Sequence, residues 1–154
     1  MSERSANILD KIGSLIPGYD GYKNRDSMKN CDKKLRVSLS NKLNEYEKII
    51  IEKINISIKD SNMKDMSKYE SFRKKINTLS SKILYSPYGA NTFFSDQKIN
   101  ENELDTIYKF DLDISDKVEK LTILSDFSDS EIANSISDIS DALINRNNYI
   151  NSFK

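Results

Sequence analysis

Apolar residues recur along almost the whole chain in steps of three and four, the spacing of one face of a helix. From Asn24 onward, Met28, Cys31, Leu35, Leu39, Leu43, Tyr46, Ile50, Ile54 and Ile58 advance by about 3.75 residues per step. This pattern predicts one helix over about 24–60, roughly 50 Å long at about 1.5 Å per residue. The isoleucines from Ile49 to Ile58 are β-branched and suit a strand. Glu and Lys break them without strict alternation, however, and the stripe continues from upstream, so a helix is the better reading. Asp60-Ser61-Asn62 ends it.

Three further stripes follow. Tyr69, Phe72, Ile76, Leu79 and Ile83 predict a helix over 63–85, with Ser67 and Glu70 in capping-box spacing. Leu104, Ile107, Asp111, Ile114, Val118 and Leu121 predict one over 101–127, with Phe110 expected to replace Asp111 on the core face. Asn100 and Glu103 have the spacing of its cap. Ile132, Ile136, Ile139, Leu143, Ile150 and Phe153 predict the last helix, over 129–153, capped by Ser128 and Glu131. Ahead of these, Ile8, Leu9, Ile12, Leu15 and Ile16 mark a short amphipathic helix over 5–16, stopped by Pro17-Gly18. The expected fold is an all-α, single-domain, up-down antiparallel bundle of four longer helices preceded by that short one.

The predicted lengths do not match. The second helix outruns the third, so residues up to about Val37 should project beyond their pairing. That overhang, the turn 17–23, the loop 85–100 and the end of the last helix should share one pole. All four glycines and both prolines lie in these segments or in the first helix. Few breakers over 154 residues agree with long uninterrupted helices.

Charge adds a second asymmetry. Net charge is zero, but Met1 to Leu84 holds 18 Lys/Arg against 11 Asp/Glu, a net of +7, and the remainder carries −7. Two oppositely charged hairpins docking on each other would account for this. A basic face steering an acidic partner is the functional alternative. The zero total argues against general nucleic-acid binding, although Lys33, Lys34 and Arg36, with Arg73, Lys74 and Lys75, form local basic clusters.

Candidate chemistry is sparse. The absence of histidine removes the usual acid/base near neutral pH and the commonest transition-metal ligand. The single Cys31 lies on an apolar stripe and allows no disulfide within one chain. "DLDISD" from Asp111 lacks the glycine and terminal Glu of a calcium loop and falls in a helical pattern. No Glu-x-x-His pair for a di-iron bundle and no phosphate loop is present. No enzyme activity, cofactor or metal is expected. No apolar run approaches the roughly 20 residues that span a bilayer, and a cytoplasmic protein is expected.

The segment "IPGYDGYKNRDSMKNCDKKLR", residues 16–36, is the most distinctive. As structure, Pro17-Gly18 turns the chain, Tyr19 and Tyr22 pack over the bundle end with their hydroxyls reaching water or charges, and Arg25, Asp26, Asp32 and Arg36 are spaced for ion pairs along one helix. The segment resembles the N-terminal part of a group of prokaryotic helical proteins in which an Ile-Pro-Gly-Tyr-x-Gly-Tyr-Lys turn leads into a helix ending Asp-Lys-x-Leu-Arg. "YSPYGANTFFSDQKINENELDTIYKFDL" resembles that group's middle, with Leu104, Tyr108, Phe110, Asp111 and Leu112 matching. The resemblance covers about a third of the chain and implies a helical protein without implying a reaction.

The expected role is therefore a non-enzymatic interaction or scaffold protein. It would bind an unknown protein partner, or itself, through the Gly/Tyr-rich pole, with Tyr19, Tyr22, Arg25, Arg36, Tyr88 and Phe94 as candidate contacts. Two alternatives stay open. One is a peripheral membrane scaffold using the first helix as an interfacial anchor. The other is an enzyme or small-ligand-binding bundle built on the same pole.

Overall fold

The computed structural model describes residues 3–22, 25–85, 99–123 and 128–152, with the side chains of 3–5 and 25–27 outside the description. Among the described residues the chain forms five helices: α1 (Glu3–Leu15), α2 (Arg25–Lys59), α3 (Met63–Tyr85), α4 (Glu101–Ile123) and α5 (Asp129–Asn151). No strand occurs among them.

Local chemistry sets the helix ends. Ser128 and Glu131 form the expected reciprocal capping box of α5, and Asn100 accepts from the Glu103 amide at 2.8 Å at the start of α4. α3 starts at Met63 as expected, but its cap is Asn62 and not Ser67. Asn62 accepts from the Asp65 amide at 3.1 Å, and Ser67 lies inside the helix. Asn62 wins because Ser61 has a positive φ of 55°, which turns the chain immediately before it. α4 is described as far as Ile123, short of the expected 127.

The stripes become the core. Cys31, Leu35, Leu39, Leu43, Tyr46, Ile50 and Ile54 of α2 are buried, but Ile58 is 53% exposed and Ser57 takes the inner position. A step longer than the helical repeat drifts around the helix, and by the last turn it has left the core face. In α4 the correction is larger. Asp111 is fully buried, whereas Phe110 is only partly so and packs against Tyr149. Asp111 lies between Ile107 and Ile114, in register with the buried face, and it is accepted there because it has partners.

α2 and α3 form one antiparallel hairpin, α4 and α5 another, and the pair stack with α2 beside α4 and α3 beside α5. These cross-hairpin neighbours run parallel. Asp32 and Asp111 share Arg146, and further along the same two helices Lys42 meets Glu119 at 2.9 Å. On the other side Lys68 pairs with Asp129 at 2.6 Å, while Ser81 shares a groove with Leu143. Chain directions thus alternate as expected, but α3 and α4, though consecutive, lie on the diagonal. The residues between Tyr85 and Glu101 number 15, and at most about 3.3–3.6 Å per residue they reach far beyond a helix diagonal.

Pairing of α2 with α3 starts where Arg36 Nη1 donates to the Leu84 carbonyl at 2.7 Å. Ser40 and Ser80 then meet at 2.7 Å in the buried seam, and Arg73 reaches Glu47 at 3.3 Å. Residues 25–35 of α2 therefore overhang the end of α3, as the lengths require. α1 lies on α4 and closes this side of the bundle. Lys42 fixes its end by donating to the Leu15 carbonyl at 2.9 Å while also holding Glu119. A cation suits that carbonyl, since the last turn of a helix carries partial negative charge.

Candidate functional site

After α1 the chain reverses through Pro17 and Gly18 and brings Tyr19 and Tyr22 back over the α2 overhang. Gly21 makes this approach possible. Its φ is +97°, and a Cβ there would sit 3.0 Å from Tyr108 Oη and 3.2 Å from Leu9. Tyr108 Oη accepts from the Tyr22 amide at 2.9 Å, and the two rings stack 5.5 Å apart at 5°. Gly21→Ala is expected to cost about 1–3 kcal/mol, the usual penalty for a strained backbone, and to lower the urea midpoint accordingly. A change below about 0.5 kcal/mol would show that the turn re-forms without strain.

Beneath the turn lies a polar cluster closed off from water. Tyr19 and Tyr22 are 5% and 2% exposed, Asp32 and Asp111 are fully buried, and Arg146 is almost fully so. Tyr19 Oη donates to Asp111 Oδ2 at 2.5 Å, and Tyr22 Oη donates to the same oxygen. Arg146 Nε donates to Asp111 Oδ1, and Arg146 Nη2 donates to Asp32 Oδ1 at 2.8 Å. The second oxygen of Asp32 accepts from Arg36 Nε at 3.0 Å, one helical turn along α2. Four segments distant in sequence thus meet at one carboxylate pair. Both carboxylates have partners on both oxygens, and two guanidinium groups balance two carboxylates. Those are the conditions under which buried charge is tolerated.

The electrostatics follow. Burial, then the Asp111 charge, holds the Tyr19 and Tyr22 hydroxyls well above the ordinary tyrosine range, so both remain protonated donors. Burial also pushes the neighbouring Cys31 thiol up to about 12. A protonated buried thiol is a poor nucleophile and metal ligand. Among the described residues no group of three or more Cys, Asp or Glu side chains is placed to hold a metal ion. Chemically, the cluster is a clasp: its hydroxyls, carboxylates and guanidinium groups engage one another and together fasten the turn to α2, α4 and α5.

The expected contact residues divide. Tyr19 and Tyr22 were expected as surface anchors, but their rings face inward, because the charged partner for their hydroxyls lies in the core. Arg36 is half-buried and is engaged by Asp32 and the Leu84 carbonyl. The Arg25 side chain, Tyr88 and Phe94 lie outside the described residues. The interfacial-anchor alternative relied on the apolar face of the first helix, and Ile12 of α1 and the adjoining Ile16 are fully buried within the bundle. No helix of the described residues is long and apolar enough to cross a membrane.

Sequence reasoning passed over Arg146 and demoted Asp111. Their signal was register, since Asp32, Asp111 and Arg146 each occupy a core position on their own stripes, between Cys31 and Leu35, Ile107 and Ile114, and Leu143 and Ile150.

Between α3 and α5 this pole presents an accessible groove. There Tyr85 is 76% and Ile144 51% exposed, flanking a groove of about 620 Å³ whose wall includes Leu143, Ser81 and Asn147. A second hollow of about 270 Å³ continues along the same two helices between Lys74, Lys75, Leu79 and Ile136. No family model, curated protein or solved structure matches the chain.

Proposed function

We propose that this is a cytoplasmic, non-enzymatic interaction protein that binds a macromolecular partner at the Gly/Tyr-rich pole, over the edge carrying Tyr85. The supporting observation is the pairing of two large apolar side chains, Tyr85 and Ile144, left exposed on opposite walls of one groove. Exposed apolar surface beside a groove is the kind of feature by which helical proteins engage partners, and aromatic anchors contribute heavily to such contacts. The buried clasp supports this reading indirectly. It fixes the start of α2 against α4 and α5, so the adjoining ends of α3 and α5 form a preorganised surface, and preorganisation lowers the cost of association.

The test compares affinity capture from the native cell by wild type and by the double variant Tyr85→Glu, Ile144→Asp, with helix content checked by far-UV circular dichroism. Both positions are exposed, so folding should persist. Loss of a specifically captured species supports the proposal, and identical capture by both proteins overturns it.

A further inference from the structure

Resting on that binding reading, we infer that the α3–α5 groove accepts an acidic amphipathic helix. The two hollows adjoin at Thr78 and Lys82 along two parallel helices, and together they run from Lys74 to Tyr85 on α3 and from Ile136 to Asn147 on α5. This stretch is about 17 Å long, or about three helical turns. Its chemistry is one-sided. Among the described lining residues three are lysines, Lys74, Lys75 and Lys82, and none is Asp or Glu. All three belong to α3, so one wall is basic.

The floor is apolar. Leu79, Ile136 and Leu143 are already buried beneath it, and the apolar surface left open is that of Ile144 on the α5 wall and Tyr85 at the end of α3. A nucleic-acid backbone would meet the lysines but leave Ile144 and Tyr85 uncovered. A helix with apolar residues every three or four positions would cover Ile144 and Tyr85 while placing carboxylates against the α3 wall. Low-dielectric surroundings strengthen such pairs, and the apolar contact supplies the affinity that exposed charges alone do not. The distribution of charge along the chain agrees, since α3 belongs to the half with a net of +7.

The experiment uses the full chain and three labelled probes. The first is a helical peptide of about 15 residues with Leu at core-facing positions and Glu flanking them. The second is its counterpart with Lys for Glu, and the third is an oligothymidylate of about 15 nucleotides. Binding is read by anisotropy and by amide shifts at roughly 50 and 500 mM salt. The expected result is that the acidic peptide binds, shifts amides of 74–85 and 136–147, and weakens about tenfold or more at high salt. Lys74→Glu with Lys75→Glu should weaken it about tenfold, while Lys33→Glu with Lys34→Glu, exposed at the start of α2, should not.

The inference is overturned if no probe binds at about 1 mM, if the oligonucleotide binds this face more tightly, or if both peptides bind alike. It is also overturned if sedimentation shows a second copy of the chain occupying the face. Loss of cellular capture in the Tyr85/Ile144 variant without peptide binding would sink this inference and leave the broader proposal standing. Unchanged capture would remove both.

Discussion

Replacing Arg146 with Met is expected to destabilise the protein by about 3–5 kcal/mol, the usual cost of breaking a buried ion pair from one side. Met fills similar volume, so the effect reports charge rather than a void. Without the guanidinium, Asp111 and Asp32 both remain buried, with only the half-buried Arg36 still in contact with Asp32. Two like charges then face each other across the core, and the Tyr22 hydroxyl loses a neighbouring cation. Total stability is typically about 5–15 kcal/mol, so about a fifth or more of it should disappear. At about 2–4 °C per kcal/mol for a chain of this size, the midpoint should fall by roughly 6–20 °C. Arg146→Lys should fall in between, because one ammonium cannot fork between two carboxylates as a guanidinium does. Urea unfolding of the three proteins checks this, and a loss below about 1 kcal/mol for Arg146→Met would show the clasp to be solvated.

The second large effect is alkaline. Tyr19 and Tyr22 hold their protons well above the ordinary range, burial contributing most and Asp111 next. Their folded values are raised, so their contribution is complete below about pH 10, where the unfolded phenols are also protonated. As pH rises further the unfolded chain releases protons that the folded chain keeps. Stability then falls by up to about 1.4 kcal/mol per pH unit for each group, until the raised folded values are passed. Cys31 acts in the same direction earlier, between its ordinary value and about 12. Urea titrations from neutral pH to pH 11 should show a fall beginning near pH 9 and steepening above 10. In the double variant Tyr19→Phe, Tyr22→Phe the fall should be shallower by up to about 2.7 kcal/mol per pH unit, although this variant starts less stable because Asp111 loses two donors. Parallel wild-type and variant curves would refute the assignment.

These two predictions fall on opposite sides of what the sequence made legible. Helix positions follow from periodicity and caps, which are local, and the stripes of α2, α3 and α5 lead to the buried residues almost one by one. The overhang follows from unequal lengths, and the tyrosines were expected over the bundle end with a charge as one possible partner. The clasp itself is not local. Tyr22 meets Arg146 from 124 residues away and Asp111 from 89. A hydropathy stripe treats a charged residue in core register as an interruption, so Phe110 looked like a better core residue than Asp111. Only the conjunction of Asp32, Asp111 and Arg146, all in core register and of opposing sign, could have disclosed the pairing. The groove was hidden for another reason. Placing α3 beside α5 depends on the diagonal connection between α3 and α4, and periodicity says nothing about which helices become neighbours.

The clasp also sets a timetable for synthesis. Tyr19, Tyr22 and Asp32 are made more than a hundred residues before Arg146. At about 5–20 residues per second, roughly 6–25 seconds separate Tyr22 from Arg146 on the ribosome. The α2–α3 hairpin can pair in that interval, but its overhang cannot be sealed, so Cys31 and Leu35 wait uncovered on the nascent chain. The segment from Tyr19 to Asp32 is therefore made long before it is secured, and a chain stalled before Arg146 would be the form most in need of a chaperone.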